Sequence, residues 1–250
     1  MVSVIIPCYN LGRYLAEAIA SVRQQEGRPF EIVVVDDGST DQQTLDILDR
    51  CAGEGITVLH TANQGLAASR NEGISHANGV YILPLDADDR LAPGFLAKAA
   101  EELDRNPDIG IVYGLVELFG DAGGLWELPD FTPDRLLYDN MIVATAMFRR
   151  KEWLSVGGYC HRMLYGWEDW DFWLSLVERG CRVVRMPQVA LFYRIRKDSM
   201  TRGMTCLQKL VMFWQLLIRH WRLYGRHWPA FFRKLADPRP LAPRLPRTAR

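Results

Sequence analysis

The stretch Val80–Leu91, VYILPLDADDRL, decides the fold of this chain. Its apolar first half has the length and β-branched content of a buried strand, and three carboxylates follow, Asp86, Asp88 and Asp89. Open α/β sheets bind ligands at the carboxyl ends of their strands. Acids this close repel one another unless a positive charge neutralises them, and alternate acids suit one hard cation such as Mg²⁺ or Mn²⁺. The other interpretation is a solvated acidic turn that caps the helix beginning at Pro93.

The chain before this stretch alternates between strand and helix patterns. Short apolar runs predict strands at Val2–Ile6, Phe30–Val35 and Ile56–His60. Apolar residues at helical spacing predict a helix after each strand, the third over Leu66–His76. This alternation predicts an α/β protein with a mostly parallel, doubly wound sheet. Because the crossovers are right-handed, the carboxyl ends of the strands share one edge, and the acids that follow the strands converge there.

The second half is predicted to continue this architecture with less regularity. Helices are expected from Pro93 to about Asn106 and, with an acidic first turn that suits the helix dipole, over Glu168–Arg179. Strands are expected at Ile109–Phe119, Ile142–Arg149, 183–184 and 189–193. The turn-rich segment 120–133 is expected to be irregular.

Composition limits the class of protein. The chain has 250 residues, 48% of them hydrophobic, with equal numbers of acids and bases, which predicts one soluble domain with or without an appendage. Its five cysteines form no CxxC pair, which argues against a disulfide framework or a zinc site. No GxGxxG follows the first strand, which argues against a dinucleotide cofactor. With no signal peptide and no long uncharged apolar stretch, we expect a cytoplasmic protein.

Charge is unevenly distributed along the chain. Residues 206–250 hold ten lysines and arginines and one acid, a net charge of +9, whereas residues 1–205 carry −9. We therefore expect a main domain over 1–205, an aromatic and basic helical extension over 206–236, and a flexible proline- and arginine-rich tail over 237–250.

The helical extension allows more than one interpretation. Seven apolar residues fit one helical face: Leu207, Leu210, Val211, Trp214, Leu217, Ile218 and Trp221. An ordinary C-terminal helix would pack residues 207–218 on the domain, whereas residues 221–250 suit the headgroup layer of an anionic membrane. That contact would make the protein peripheral at the inner face of the membrane. Nucleic acid is not expected as a partner, because the acidic body would repel it and no nucleic-acid-binding module is visible.

Five segments in this order and spacing resemble the inverting, GT-A-fold glycosyltransferases of family 2. They are VSVIIPCYN at 2–10, EIVVVDDGSTD at 31–41, NQGLAASRNEG at 63–73, YILPLDADD at 81–89, and GGY at 157–159 followed by GWEDWDFWLSL at 166–176. The resemblance covers roughly residues 2–200 and implies the GT-A fold, a nucleotide-sugar donor and a divalent cation, Mn²⁺ or Mg²⁺.

The resemblance implies a donor site at the carboxyl ends of the first strands. Pro7, Tyr9 and Asn10 look like the wall of a nucleotide-base pocket. Asp37 is similar to the residue that accepts a hydrogen bond from the base ring, although it could instead cap the following helix. Arg70 looks like a nucleotide or diphosphate contact, although it could instead pair with a surface acid.

The resemblance also implies the chemistry. Asp86-Ala87-Asp88 looks like a DxD motif, with Asp88 on the metal and Asp86 on the metal or nearer the ribose. Glu168-Asp169 looks like an ED motif, in which the aspartate is the general base and the glutamate contacts the acceptor or the helix dipole. Such a base, with its pKa raised by neighbouring acids, takes the proton of an attacking hydroxyl, and attack opposite the leaving group inverts the anomeric centre.

One aromatic position and one basic position complete the expected site. Trp167 could stack on an acceptor sugar, or could be core together with Trp170 and Trp173. Arg196 stands where members of the family often carry a histidine near the diphosphate or the metal. Arginine cannot ligate a cation but grips phosphate, so the departure predicts weaker metal dependence or a silent enzyme.

The expected function is transfer of a sugar, with a UDP-sugar as the donor, to a glycan or a lipid-linked acceptor. Two alternatives remain open on the residues. A nucleotidyltransferase also uses an α/β sheet and a carboxylate-bound metal, although PCYNLGRY is not its usual glycine- and basic-rich loop. A catalytically inactive GT-A-like protein could serve as a scaffold through its basic tail.

Overall fold

The computed structural model describes residues 1–196, 204–227 and 229. Its elements in chain order are β1 (Val2–Cys8), α1 (Gly12–Arg23), β2 (Phe30–Asp36), α2 (Gln42–Gly53), β3 (Thr57–His60), α3 (Leu66–His76), β4 (Tyr81–Pro84), β5 (Arg90–Leu91), α4 (Phe95–Arg105), β6 (Ile109–Gly120), β7 (Gly124–Trp126), α5 (Pro133–Leu136), β8 (Met147–Arg149), α6 (Arg150–Val156), α7 (Glu168–Glu178), β9 (Arg182–Ile195), α8 (Cys206–Arg219) and α9 (Trp221–Arg226).

One nine-stranded sheet organises the described chain. Its order is β3-β2-β1-β4-β8-β6-β9-β5, with β7 paired to β6. The pairs β3-β2, β2-β1, β1-β4 and β6-β9 are parallel, whereas β8 lies antiparallel between β4 and β6, and β5 and β7 are antiparallel to β9 and β6. The predicted mostly parallel α/β architecture is confirmed, and the carboxyl ends of β1, β2 and β4 share one edge.

Apolar layers cover both faces of the sheet. Alternate residues of β1 enter opposite layers: Val4 and Ile6 pack with α1, α2 and α4, whereas Ile5 packs with α3, α7 and α8. A strand covered on both faces is apolar at successive positions, which is why the sequence shows runs here and not alternation.

Three predicted strands differ from the observed ones. The strand expected over Ile142–Arg149 is confined to β8, because residues 142–145 line a cavity instead of joining the sheet. The two short strands expected at 183–184 and 189–193 are one strand, β9, interrupted by register shifts against β6. The segment expected to be irregular, 120–133, contains β7.

The C-terminal helices pack on the domain through an unexpected face. Thr205 and Gln208 form a capping box that begins α8. Met212 and Leu216 are buried against the layer below, but most of the face predicted from helical spacing is exposed. The interpretation in which this helix packs on the domain agrees with the burial of Met212 and Leu216. The face chosen from helical spacing is wrong, because α8 carries apolar side chains on both sides. The predicted tail, 237–250, lies outside the described residues.

A buried ion-pair network holds α8 and α9 against α7. Asp171, buried on α7, accepts a hydrogen bond from Arg219 Nε at 2.6 Å, and His220 Nε2 lies 3.1 Å from the same oxygen. The other ring nitrogen of His220 lies 3.2 Å from Glu178. Burial opposes the charge of Asp171, yet its bonds with His220 and Arg219 hold the pKa of Asp171 below its ordinary value.

Replacing Asp171 with alanine is expected to lower the free energy of unfolding by about 2–3 kcal/mol, because it leaves Arg219 and His220 without their acceptor. Urea denaturation at neutral pH measures the effect, with Asp49→Ala on the exposed side of α2 as the control. Because folding lowers the pKa of Asp171, the stabilisation from its ion pairs is lost as the pH falls through that pKa. The free energies of unfolding of the wild type and the variant should therefore converge in acid. Equal stabilities at neutral pH would contradict the assignment.

Within the described residues, no helix combines the length and the apolar character that a bilayer crossing requires.

Candidate active site

A cavity of about 670 Å³ opens at the carboxyl ends of β1, β2 and β4. Its walls are the loops after these strands, the start of α3, the segment 138–145 and the start of α7. Eleven of the twelve predicted site residues line it: Pro7, Tyr9, Asp37, Arg70, Asp86, Ala87, Asp88, Trp167, Glu168, Asp169 and Arg196. The fold therefore brings together side chains that are up to 189 positions apart in the sequence.

Asn10 is the predicted residue that does not line the cavity. It has a left-handed backbone conformation, with φ of 53°, directly after β1. Its side-chain oxygen accepts hydrogen bonds from the backbone amides of Thr40 at 2.8 Å and Asp41 at 3.2 Å. Asn10 therefore ties the loop after β1 to the loop after β2, and half-exposed Tyr9 beside it reaches the cavity.

Asp37 is buried beneath the turn that leads into α3. Its two carboxylate oxygens accept from the backbone amides of Gln64 at 2.8 Å and Gly65 at 2.9 Å. Gly65 has φ of 89°, a conformation that glycine adopts without steric cost. The alternative in which Asp37 caps the following helix is wrong, because Asp41 caps α2 by accepting from the amide of Thr44.

Arg70 lies at the centre of the site and is 1% exposed. From α3, its Nη2 donates to Asp86 at 2.8 Å and its Nη1 donates to Glu168 at 2.5 Å. Burial opposes the charge of the guanidinium, but the two carboxylates outweigh it and raise the pKa of Arg70 above its ordinary value. The alternative of a surface ion pair is wrong, since Arg70 joins the acidic stretch after β4 to the start of α7.

The three acids after β4 have separate environments. Asp88 accepts from Arg196 Nε at 2.6 Å, and both side chains are mostly buried. Asp89 is 2% exposed and accepts from the backbone amide of Arg194 on β9 at 2.8 Å, which makes it a structural link. The alternative of a solvated turn that caps the next helix is wrong, because the N-cap of α4 is Gly94, without a side-chain hydrogen bond.

Asp169 combines a shielded carboxylate with two hydrogen bonds. It lies in the first turn of α7, where it accepts from the backbone amide of Trp170 at 2.7 Å and from the side-chain amide of Asn140 at 3.1 Å. Burial, and then the charge of Glu168, raise the pKa of Asp169 to about 7. A carboxylate with this pKa can accept a proton near neutral pH, which is the property of an efficient general base.

The three tryptophans around α7 have different roles. Trp170 and Trp173 are buried, and their indole N–H groups donate to the carbonyls of Leu136 at 2.6 Å and Ile142 at 3.1 Å. Both belong to the core. Trp167 is half-buried, lines the cavity and packs edge-on against Trp170 with ring centroids 5.1 Å apart.

Sequence reasoning assigned no individual role to several residues of the cavity. Asn140, which orients Asp169, lies in a segment without a recognisable motif, and the only local signal was the polar pair Asp139-Asn140. Tyr159 lies under Arg70, with the guanidinium carbon 5.6 Å from the centre of its ring. Its motif, GGY, was recognised, but this contact was not predicted. Trp126 of β7 and Tyr193 of β9 also line the cavity.

The carboxylates after β4 suit a hard cation, with one condition. Asp86 and Asp88 offer oxygen ligands, and Mg²⁺ is commonly held by one or two carboxylates together with substrate phosphates. Over the described ranges, no cluster of three or more His, Cys, Asp and Glu side chains could hold a metal by itself. A cation would therefore fit here together with a phosphorylated ligand, and it would compete with Arg196 for Asp88.

The fold and the cavity define a transferase of the GT-A type. The Glycosyl transferase family 2 profile matches residues 3–166, and the chain belongs to this family. The protein is therefore a glycosyltransferase, as the five sequence segments predicted, and the nucleotidyltransferase alternative is wrong.

Relatives and solved structures agree with this assignment. The chain is 33% identical over 201 residues to the PGL/p-HBAD biosynthesis glycosyltransferase of Mycobacterium bovis, covering 76% of this chain and 75% of the relative. Its fold is similar to S. aureus TarS in complex with UDP-GlcNAc, with a TM-score of 0.70, 20% identity and coverage of 94% and 80%. It is also similar to the mannosyltransferase PcManGT of Pyrobaculum calidifontis in complex with GDP-Man and Mn²⁺, with a TM-score of 0.61, 19% identity and coverage of 96% and 76%. The GT-A fold is confirmed.

Proposed function

We propose that this glycosyltransferase moves one sugar, with inversion, from a UDP-sugar to a hydroxyl of a glycan or lipid-linked acceptor. The observation that carries the proposal is Asp169, a carboxylate with a pKa of about 7 in the same cavity as the arginine-bound acids after β4. One base suffices for a direct displacement, and direct displacement inverts the anomeric centre. The UDP-GlcNAc bound to TarS supports the choice of donor.

The donor half of the cavity is proposed to hold the nucleotide. Pro7 and Tyr9 flank the base, and Asp37, which lines the cavity beside them, accepts a hydrogen bond from the base. Asp86 is assigned to the ribose or the cation, and Arg70 keeps Asp86 in position. Because Arg70 is already engaged by two carboxylates, we assign it positioning and not direct contact with the diphosphate.

The departing diphosphate needs positive charge. Asp88, together with Asp86, would hold Mn²⁺ or Mg²⁺, which supplies that charge when bound. Support comes from the oxygen ligands of this chain and from the Mn²⁺ in the complex of PcManGT. Arg196, at 2.6 Å from Asp88, is placed to contribute a second positive charge to a phosphate oxygen.

The acceptor half is proposed to lie around the start of α7. Trp167 offers a partly exposed ring on which a sugar can stack, and Glu168 contacts the acceptor while its charge raises the pKa of Asp169. Asp169 removes the proton of the attacking hydroxyl. We further propose that the acceptor is presented at the inner face of a membrane, with the protein bound peripherally.

A donor screen tests the proposal. Thermal shift with UDP-glucose, UDP-GlcNAc and GDP-mannose, each with and without Mn²⁺, should single out a UDP-sugar, which stabilises the fold by about 3 kcal/mol at a hundredfold excess over its Kd. NMR of the product should then give the anomeric configuration opposite to that of the donor. Stabilisation by GDP-mannose alone would contradict the choice of donor. Stabilisation by a donor that is never transferred to any acceptor, nor hydrolysed, would favour the inactive scaffold.

A further inference from the structure

The outward side of α8 is an apolar surface that no described residue covers. Five side chains at helical spacing form it, and their exposed fractions are 70% for Leu207, 53% for Leu210, 39% for Val211, 57% for Trp214 and 68% for Ile218. Trp221, 65% exposed, extends it at the start of α9. We call these six residues the α8 face. Elsewhere, large exposed apolar residues such as Leu154 and Leu164 occur singly or in pairs, which is ordinary for a protein surface.

A contiguous apolar surface that includes two tryptophans is unusual on a free monomer, and it marks an interaction site. The helix is held firmly in this orientation, because Met212 and Leu216 are buried on its inner side and Arg219 pairs with Asp171. Rotating α8 to hide the exposed face would break both sets of contacts. The surface is therefore a fixed feature of the fold.

A basic cavity adjoins one end of the α8 face. It has a volume of about 540 Å³ and is lined by residues of α6, α7, α8 and α9, Trp221 among them. Three of its arginines, Arg179, Arg222 and Arg226, form no ion pair with any residue in the part of the chain that the structure describes. Glu178 is the one acid in the lining, and it is engaged by His220 at 3.2 Å. The cavity therefore has an excess of positive charge suited to phosphate, which arginine binds through two parallel hydrogen bonds.

We propose that the α8 face and the adjoining basic cavity dock this protein on an anionic lipid bilayer. The helix lies in the plane of the interface, its apolar side chains enter the headgroup boundary, and the arginines bind lipid phosphates. The excess of basic residues over 206–250 adds long-range attraction to such a surface. This inference deepens the membrane part of the proposed function and shifts the contact from residues 221–250 to the segment 207–226.

Two other occupants fit the surface less well. A second copy of the chain, related by a two-fold axis through the α8 face, would bring like patches together, including Arg179, Arg222 and Arg226, and their repulsion opposes that contact. Nucleic acid would satisfy the arginines but leave the six apolar side chains in water. A bilayer satisfies both parts of the surface.

The surface and the active site share one helix. The first residues of α7, Glu168 and Asp169, line the active-site cavity, and Asp171 in the same turn binds Arg219 and His220. A protein docked through α8 thus carries its active site on the element that α8 packs against. This arrangement suits an acceptor that is itself held in the membrane.

Co-sedimentation of the full chain with vesicles tests the inference. Vesicles of phosphatidylcholine with phosphatidylglycerol should bind the protein at low ionic strength, and vesicles of phosphatidylcholine alone should bind it much less. Ile218→Glu should reduce the bound fraction about tenfold or more, since a charge replaces an exposed apolar side chain that enters the bilayer on binding. The matched control, Leu164→Glu, alters a residue of similar exposure, 72%, that is not part of the α8 face, and it should bind like the wild type. Joint replacement of Arg222 and Arg226 by alanine should weaken binding to the anionic vesicles only.

The possible outcomes are distinct. Ile218→Glu protein that keeps the wild-type melting temperature and still binds anionic vesicles fully would overturn the inference. So would a dimer, seen by light scattering, that Ile218→Glu dissociates, because the face would then be covered by a second copy. Vesicle binding without sugar transfer would sustain the inference and count against the proposed function, so the two can fail separately.

Discussion

Asp169→Asn is expected to lower kcat by about 10²–10⁴-fold and to leave donor affinity almost unchanged. The amide keeps the shape of the side chain and can still accept from the backbone amide of Trp170, so the start of α7 should keep its fold, and only the contact with Asn140 changes. It cannot take a proton from the attacking hydroxyl. Initial rates at saturating donor, together with donor affinity from calorimetry, measure the two effects separately. A collapse of donor binding would mean that Asp169 is structural or linked to the cation.

The pH profile provides the control for this prediction. Burial and Glu168 raise the pKa of Asp169 to about 7, and the base works in its deprotonated form. The wild-type kcat/KM should therefore rise with pH through about 7 and then level off. The residual kcat/KM of Asp169→Asn should not show this rise with pH. A variant whose kcat/KM still rises through about pH 7 would show that the titration of another group controls the rate.

The first half of the fold was predictable because its signals are local. The observed α3 has the predicted bounds, Leu66–His76, and β1 and β2 extend the predicted strands by two residues and one residue. Strands that are covered on both faces must be apolar throughout, and the polar turns between them are short. Right-handed crossovers then place the acids after β2 and β4 at one edge without further information.

The site was less predictable where a residue's partner is distant in the sequence. Arg70 carried no signal that it would bridge Asp86 and Glu168, the latter 98 positions away. Asn140 meets Asp169 only because residues 138–145, between α5 and β8, line the cavity instead of joining the sheet. The α8 face shows a related limit: where a helix is apolar on both sides, periodicity cannot tell which side is buried.

Asp88→Ala is expected to lower transfer by at least about 10³-fold, which corresponds to about 4 kcal/mol of lost charge stabilisation. The carboxylate is the proposed ligand for the cation that neutralises the departing diphosphate. Calorimetry of nucleoside diphosphate binding, with and without Mn²⁺, gives a readout that does not depend on activity: Mn²⁺ should strengthen binding to the wild type and have no effect on the variant. Unchanged dependence on Mn²⁺ would refute the assignment of Asp88.

Arg196→Ala distinguishes loss of the cation ligand from loss of the Asp88–Arg196 ion pair as the cause of the Asp88→Ala effect. Asp88→Ala also removes the partner of Arg196, so its effect alone could reflect a broken ion pair between two mostly buried side chains. Arg196→Ala breaks the same pair and leaves the carboxylate in place. If Asp88 binds the cation, this variant should keep its dependence on Mn²⁺ and bind Mn²⁺ more tightly, since Arg196 Nε no longer competes at 2.6 Å. If Arg196 also binds phosphate, Arg196→Ala should weaken binding of a nucleoside diphosphate more than binding of the monophosphate. Loss of Mn²⁺ dependence in both variants would instead assign the effect to the ion pair.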